Sequence, residues 1–169
     1  MRMDINEVTQ AIHKWMENFL EVEHPALGQW APCPYARKAR LDGRIDIRIG
    51  IDPYDDLIAL AEEGIGDKEV VVLAYDPQIY SADEYEIDIQ EANRVIKEKG
   101  LISLSDHPNS PEEVNGVEMN QGEYALSIVA PVANLNDASK KLYKAGYYDS
   151  WTSGYMDDVF TGREDPRDS

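Results

Sequence analysis

The sequence predicts an α/β domain, on the border with α+β, built on a mixed four-stranded sheet with helices packed against it. Three observations carry this. Ile45, Ile47, Ile49 and Ile51 alternate with Asp46, Arg48 and Gly50, the period-two pattern of a strand with one apolar and one charged face. Lys68 to Tyr75 reads Lys-Glu-Val-Val-Val-Leu-Ala-Tyr, a nearly continuous apolar run suited to a central strand covered on both sides. Segments with helical spacing and capping residues separate these runs, so strand–helix–strand units recur and parallel crossovers follow.

Taken in order, Asp4 and Glu7 form a capping pattern that opens a helix. Ile5, Val8, Ile12, Trp15 and Phe19 then make one apolar stripe that runs to about Glu21. His24-Pro25 and Gly28 begin an irregular connection, and a short helix is expected after Pro34. Asp42-Gly43 is a turn, and the first strand spans about 44–51. Asp52-Pro53 is an N-cap with proline at the first helical position, and the helix it opens ends near Gly64. The second strand spans 68–75. Asp76-Pro77 breaks it, Ser81 caps a long helix to about residue 99, and Gly100 closes that helix. A short third strand covers 101–105. A fourth, 123–132, follows a loop containing the turn Asn115-Gly116, so the last two strands pair antiparallel as a hairpin. Asn134 and Asp137 start a final helix that stops at Gly146. Aromatics at Tyr148, Trp151, Tyr155 and Phe160 are expected to pack on the body. The division is thus a single domain over 1–160 and a solvated acidic tail over 161–169.

The totals exclude several classes. A chain of 169 residues reads as one domain with room for a core. No apolar run approaches the ~20 residues of a membrane span. One cysteine cannot form an internal disulfide, and the N-terminus lacks an apolar signal core, so a cytoplasmic protein is expected. The net charge is −17. From Cys33 to Arg48 there are five basic and two acidic residues, +3, which leaves −20 for the rest. A surface that negative repels nucleic acid and anionic membrane. Glycine-rich phosphate loops, paired-cysteine spacings and HExxH are absent, so no cofactor and no metal site are expected.

Chemistry concentrates around one short stretch, Trp30-Ala-Pro-Cys-Pro-Tyr-Ala-Arg-Lys-Ala-Arg40. Cys33 lies between two prolines, which restrict its backbone. Arg37 and Lys38 follow within one helical turn, where a cation lowers a thiol's pKa. His107, in the loop after the third strand, is a second candidate; beside Cys33 it gives the pairing of an activated nucleophile. Arg44 and Arg48 share the charged face of the first strand and, with Arg37 and Lys38, offer an anion site. Against this, a lone cysteine is a common core residue, and basic residues in an acidic chain pair with their own carboxylates.

Trp15, then Cys33-Pro34-Tyr35-Ala36, an apolar strand ending at Pro77, and His107-Pro108 together resemble an uncharacterised bacterial family. That family carries a Leu-Cys-Pro-Phe-Ala motif and a downstream Phe-His-Pro motif. Tyr35 stands where its phenylalanine would be, and Ser105-Asp106 replaces its aromatic lead-in. The resemblance implies that Cys33 and His107 belong to one site, and it supplies no reaction. Two functions therefore compete. One is a small enzyme or anion-ligand-binding protein with catalytic Cys33 and His107 and ligand-binding Arg37, Lys38, Arg44 and Arg48. The other is a non-enzymatic interaction or regulatory protein, of an accessory or viral type, that meets a protein partner through its acidic surface and aromatic C-terminal segment.

Overall fold

The computed structural model describes residues 3–110, 112–120 and 122–168. Helix α1 (Ile5–Trp15) begins at Asp4, whose Oδ1 accepts the otherwise orphaned N–H groups of Asn6 and Glu7 at 2.9 and 3.1 Å. It buries Val8 and Ile12, then widens into a π-helical turn over Met16–Leu20 that buries Met16 and Phe19. A 3₁₀ turn at Pro25–Leu27 and the short helix α2 (Ala36–Leu41) follow.

Strand β1 (Ile45–Ile49) runs parallel to β2 (Val70–Tyr75), with α3 (Pro53–Glu63) as the crossover. Helix α4 (Ala82–Ile96) leads from β2 to β3 (Leu101–Asp106). Two two-residue strands, β4 (Glu113–Val114) and β5 (Val117–Glu118), then form a separate hairpin. Strand β6 (Ala125–Pro131) inserts between β2 and β3, antiparallel to both, which gives the order β1-β2-β6-β3. Both crossovers move the same way across the sheet, so α3 and α4 share one face. The α/β class and the four-stranded mixed sheet expected from sequence are observed. No helix among the described residues is long and apolar enough to cross a membrane.

Alternation sorts the central strands between two cores. Val71, Leu73 and Tyr75 of β2 pack with Leu57 and Leu60 of α3 and Tyr85, Ile89, Ala92 and Ile96 of α4. Val72 and Ala74 point the other way, onto Val8, Ile12 and Met16 of the first helix and Ala36 of α2. Each large apolar side chain so buried contributes about 2 kcal/mol. Strand β2 is the buried centre, as its unbroken apolar run predicts. Strand β1 is an edge and stays half-buried along its whole length, rather than burying one face fully.

Three local differences from the expected elements have physical causes. The Asn115-Gly116 turn does not join β3 to β6. It closes the small hairpin, with both residues at positive φ (48° and 85°), as a tight hairpin turn requires. Helix α5 (Val132–Ala145) starts earlier than Asn134, because Pro131 ends β6 with an extended ψ of 129° and the chain enters the helix without a loop. The segment 161–168 does not float. After α6 (Ser153–Val159), Arg163 lies 4.6 Å over the Phe160 ring, Glu164 pairs with Lys140 at 2.7 Å, and Pro166 is fully buried. A cation–π contact and two ion-paired acids hold what charge alone marked as tail. The aromatic cluster that anchors it, Tyr147, Tyr148, Met156 and Phe160 with Trp30 and Leu142, packs as expected.

Candidate functional site

Cys33 is half-buried and is held mainly through its backbone. Its N–H donates to the Leu20 carbonyl at the end of the π turn (3.0 Å), and its carbonyl accepts from Ala36 N–H (3.2 Å). Tyr147 hydroxyl donates to the Pro32 carbonyl just before it. The side chain packs against the cluster that contains Val8, Ile12 and Val72. Burial therefore pushes the thiol above its ordinary pKa, and the Glu21 carboxylate pushes the same way. The expected lowering by Arg37 does not occur.

Arg37 does line a surface groove with Cys33, together with Trp30, Gln29, Glu21 and Glu23, of about 240 Å³. Two carboxylates on that wall offset the one guanidinium, so the groove does not have the charge of an anion receptor. The remaining cations are already engaged. Lys38 lies 3.6 Å from Asp42, and Arg44 is 3.8 Å from Glu69 and donates to Asp67 O at 3.1 Å. Arg48 pairs with Asp46 at 2.8 Å and Glu63 at 3.8 Å. Arg40 makes a two-pronged pair with Glu21 (2.7 and 2.8 Å), which holds that carboxyl below its usual range.

His107 sits on the opposite side of the sheet from Cys33. Its ring packs 5.9 Å from that of Tyr85, in the α3–α4 core. Its Nδ1 accepts from Asn109 N–H (3.1 Å), which leaves Nε2–H to donate to Tyr80 O (2.7 Å). Both ring nitrogens are thus occupied by backbone, the arrangement of a loop-fixing histidine that is 3 % exposed. The structure does not bring Cys33 and His107 together.

Sequence reasoning passed over one other site, and it weighed a second, the acidic surface, without localising it. The first is Asp106, the last residue of β3, only 7 % exposed. It pairs in register with Leu126, on the α1 side of the sheet. One carboxylate oxygen, Oδ1, is buried without a hydrogen-bond partner. Burial first, then the Glu112 and Glu118 carboxylates, push its pKa up to about 7. The usable signal was phase: Asp106 continues the alternation of Ile102 and Leu104.

The other is the outer surface of α3 and α4. Residues 51–96 hold thirteen acids against two bases, Lys68 and Arg94. Among the described residues, Asp52, Asp55, Asp56, Glu62, Asp83, Glu84, Glu86, Asp88 and Glu91 make no ion pair. Asp88 feels the consequence: partial burial and its neighbours Asp52, Glu91 and Glu84 raise its pKa. Ile51, Ile79 and Ile87 are exposed among these acids, and Tyr80, between them, donates its hydroxyl to Ile51 O at 2.8 Å. No group of three or more metal-ligating side chains is assembled among the described residues.

The chain matches no protein-family model, no curated protein and no solved structure.

Proposed function

We propose that this chain is a non-enzymatic interaction protein that receives a cationic protein segment on the outer surface of α3 and α4. The observation that carries this reading is the excess of thirteen acids over two bases in residues 51–96, nine of them without an ion pair among the described residues. A one-signed surface of this kind attracts an oppositely charged partner at long range and speeds its encounter. The exposed isoleucines at 51, 79 and 87 add apolar contact within reach of those charges. The enzyme reading has little support, because its thiol is desolvated and its imidazole is bound by backbone on the other side of the sheet.

Binding of a fluorescent lysine decapeptide tests this. Neutralising Asp55, Glu62, Asp83, Glu84 and Glu91 to their amides weakens binding by roughly tenfold or more. Neutralising five exposed acids elsewhere, Glu7, Glu23, Glu98, Glu123 and Asp149, changes net charge equally and weakens it by only about twofold. Equal losses in the two sets overturn the reading, since the peptide then responds to net charge alone.

A further inference from the structure

The β4–β5 hairpin and α6 meet the end of β3 around carboxylates. Glu112, just before β4, accepts from Tyr155 of α6 at 3.2 Å, and its backbone oxygen accepts from Met119 N–H to close the hairpin (2.8 Å). Asn120 side chain donates to Ser110 O at 2.7 Å, fastening the far side of the hairpin. At the hairpin tip, Asn115 donates to Ala26 O (2.8 Å), four residues from the Trp30 wall of the groove. Asp106 lies beneath, buried, with Oδ1 unpartnered.

The groups that face Asp106 come from every neighbouring element. They are Glu112 before β4, Glu118 of β5 and Tyr155 of α6, with His107 next in the chain, Glu86 of α4 beyond Glu112, and Tyr85 of α4 acting electrostatically from the other side of the sheet. Among the described residues, no lysine or arginine pairs with Asp106 or Glu112. A carboxylate in that position meets like charge and has lost water, so the neutral carboxylic acid is the form that fits.

We propose that Asp106 is a proton-operated latch: protonated, it lets the β4–β5 hairpin and α6 close on the end of β3, and ionised, it loosens them. The sign follows from linkage. An acid whose folded pKa lies above its unfolded value holds more protons when folded, so its contribution to seating is fully present at low pH. That contribution falls as pH rises from the unfolded carboxyl value, 3.8, to the folded value of about 7. The hairpin therefore loosens across the weakly acidic range, and the change is complete near neutrality.

Amide hydrogen exchange by NMR, corrected for intrinsic chemical rates, tests the latch. In the wild type, protection at Val114, Val117 and Met156 falls by roughly tenfold or more between about pH 5 and about pH 8, while that of Val71–Tyr75 in β2 stays constant. Asp106→Asn, neutral and similar in shape, abolishes the pH dependence and keeps the hairpin protected at the upper end. Glu112→Gln removes one facing charge and moves the midpoint to lower pH. Hairpin protection that is flat in the wild type overturns the proposal, and so does a fall that persists in Asp106→Asn. Restoration of protection at pH 8 by millimolar calcium chloride overturns it too, since the cluster is then a cation site.

Discussion

Two neighbouring stretches of chain carry opposite charge and put it to opposite use. Between Cys33 and Arg48, four of the five cations end on a carboxylate, and Arg40 grips Glu21 with two nitrogens. Between residues 51 and 96, nine acids make no ion pair among the described residues. Some bond backbone N–H groups at helix starts: Asp56 accepts from Ile51 and Asp52, and Asp52 accepts from Asp55. Such bonds fix a helix end without cancelling its charge, and acids there are also favoured by the helix dipole. The formal charge of a cluster thus says little about what it binds until its partners are counted. The conspicuous basic cluster is largely spent on structure, and the dispersed acids are the ones on which the proposed encounter rests.

The junction between the two stretches is the sharpest place to break this contrast. Gly50 follows β1, and its N–H donates to Ala74 O at 3.0 Å. A Cβ there runs into the ring of Tyr75, whose hydroxyl donates to Asp56 at 2.9 Å. We expect Gly50→Ala to cost about 2–3 kcal/mol in denaturant unfolding, since an overpacked core side chain must move. A variant as stable as the wild type contradicts the fixed position of Tyr75 and of the α3 start it holds.

Cys33 gives the next largest effect. Its thiol is expected to resist alkylation in the native protein and to react once denaturant unfolds the chain, with a native titration above the ~8.5 of a free thiol. Cys33→Ala costs about 1 kcal/mol through lost packing. Rapid native alkylation that titrates below the free-thiol value contradicts the raised thiol pKa and revives the nucleophile.

Much of the fold was legible because its signals are local. The isoleucine alternation at 45–51, the valine run at 70–72 and the caps at Asp4, Asp52 and Ser81 each report on a few adjacent residues. The site was less legible because burial is set from a distance. Tyr147, near the other end of the chain, closes over Pro32, and nothing within 30–40 announces it. Arg44 and Arg48 read as an anion site or as internal ion pairs, and the distant partners that decide it, Glu69 and Glu63, arrive through the fold beside the local Asp46. The tail read as solvated because its composition is charged, yet Arg167 pairs with both Asp157 and Asp165. In each case residue type was visible and the partner was not.

The most direct measurement is an amide chemical-shift titration of the ¹⁵N-labelled protein with the lysine decapeptide at physiological ionic strength. There, charges further apart than ~8 Å are screened and only a concentrated surface still attracts. The account predicts shifts confined to residues 51–64 and 79–96, the α3–α4 surface with its exposed isoleucines. Shifts centred on Gln29–Arg37, or spread evenly over the acidic surface, contradict it.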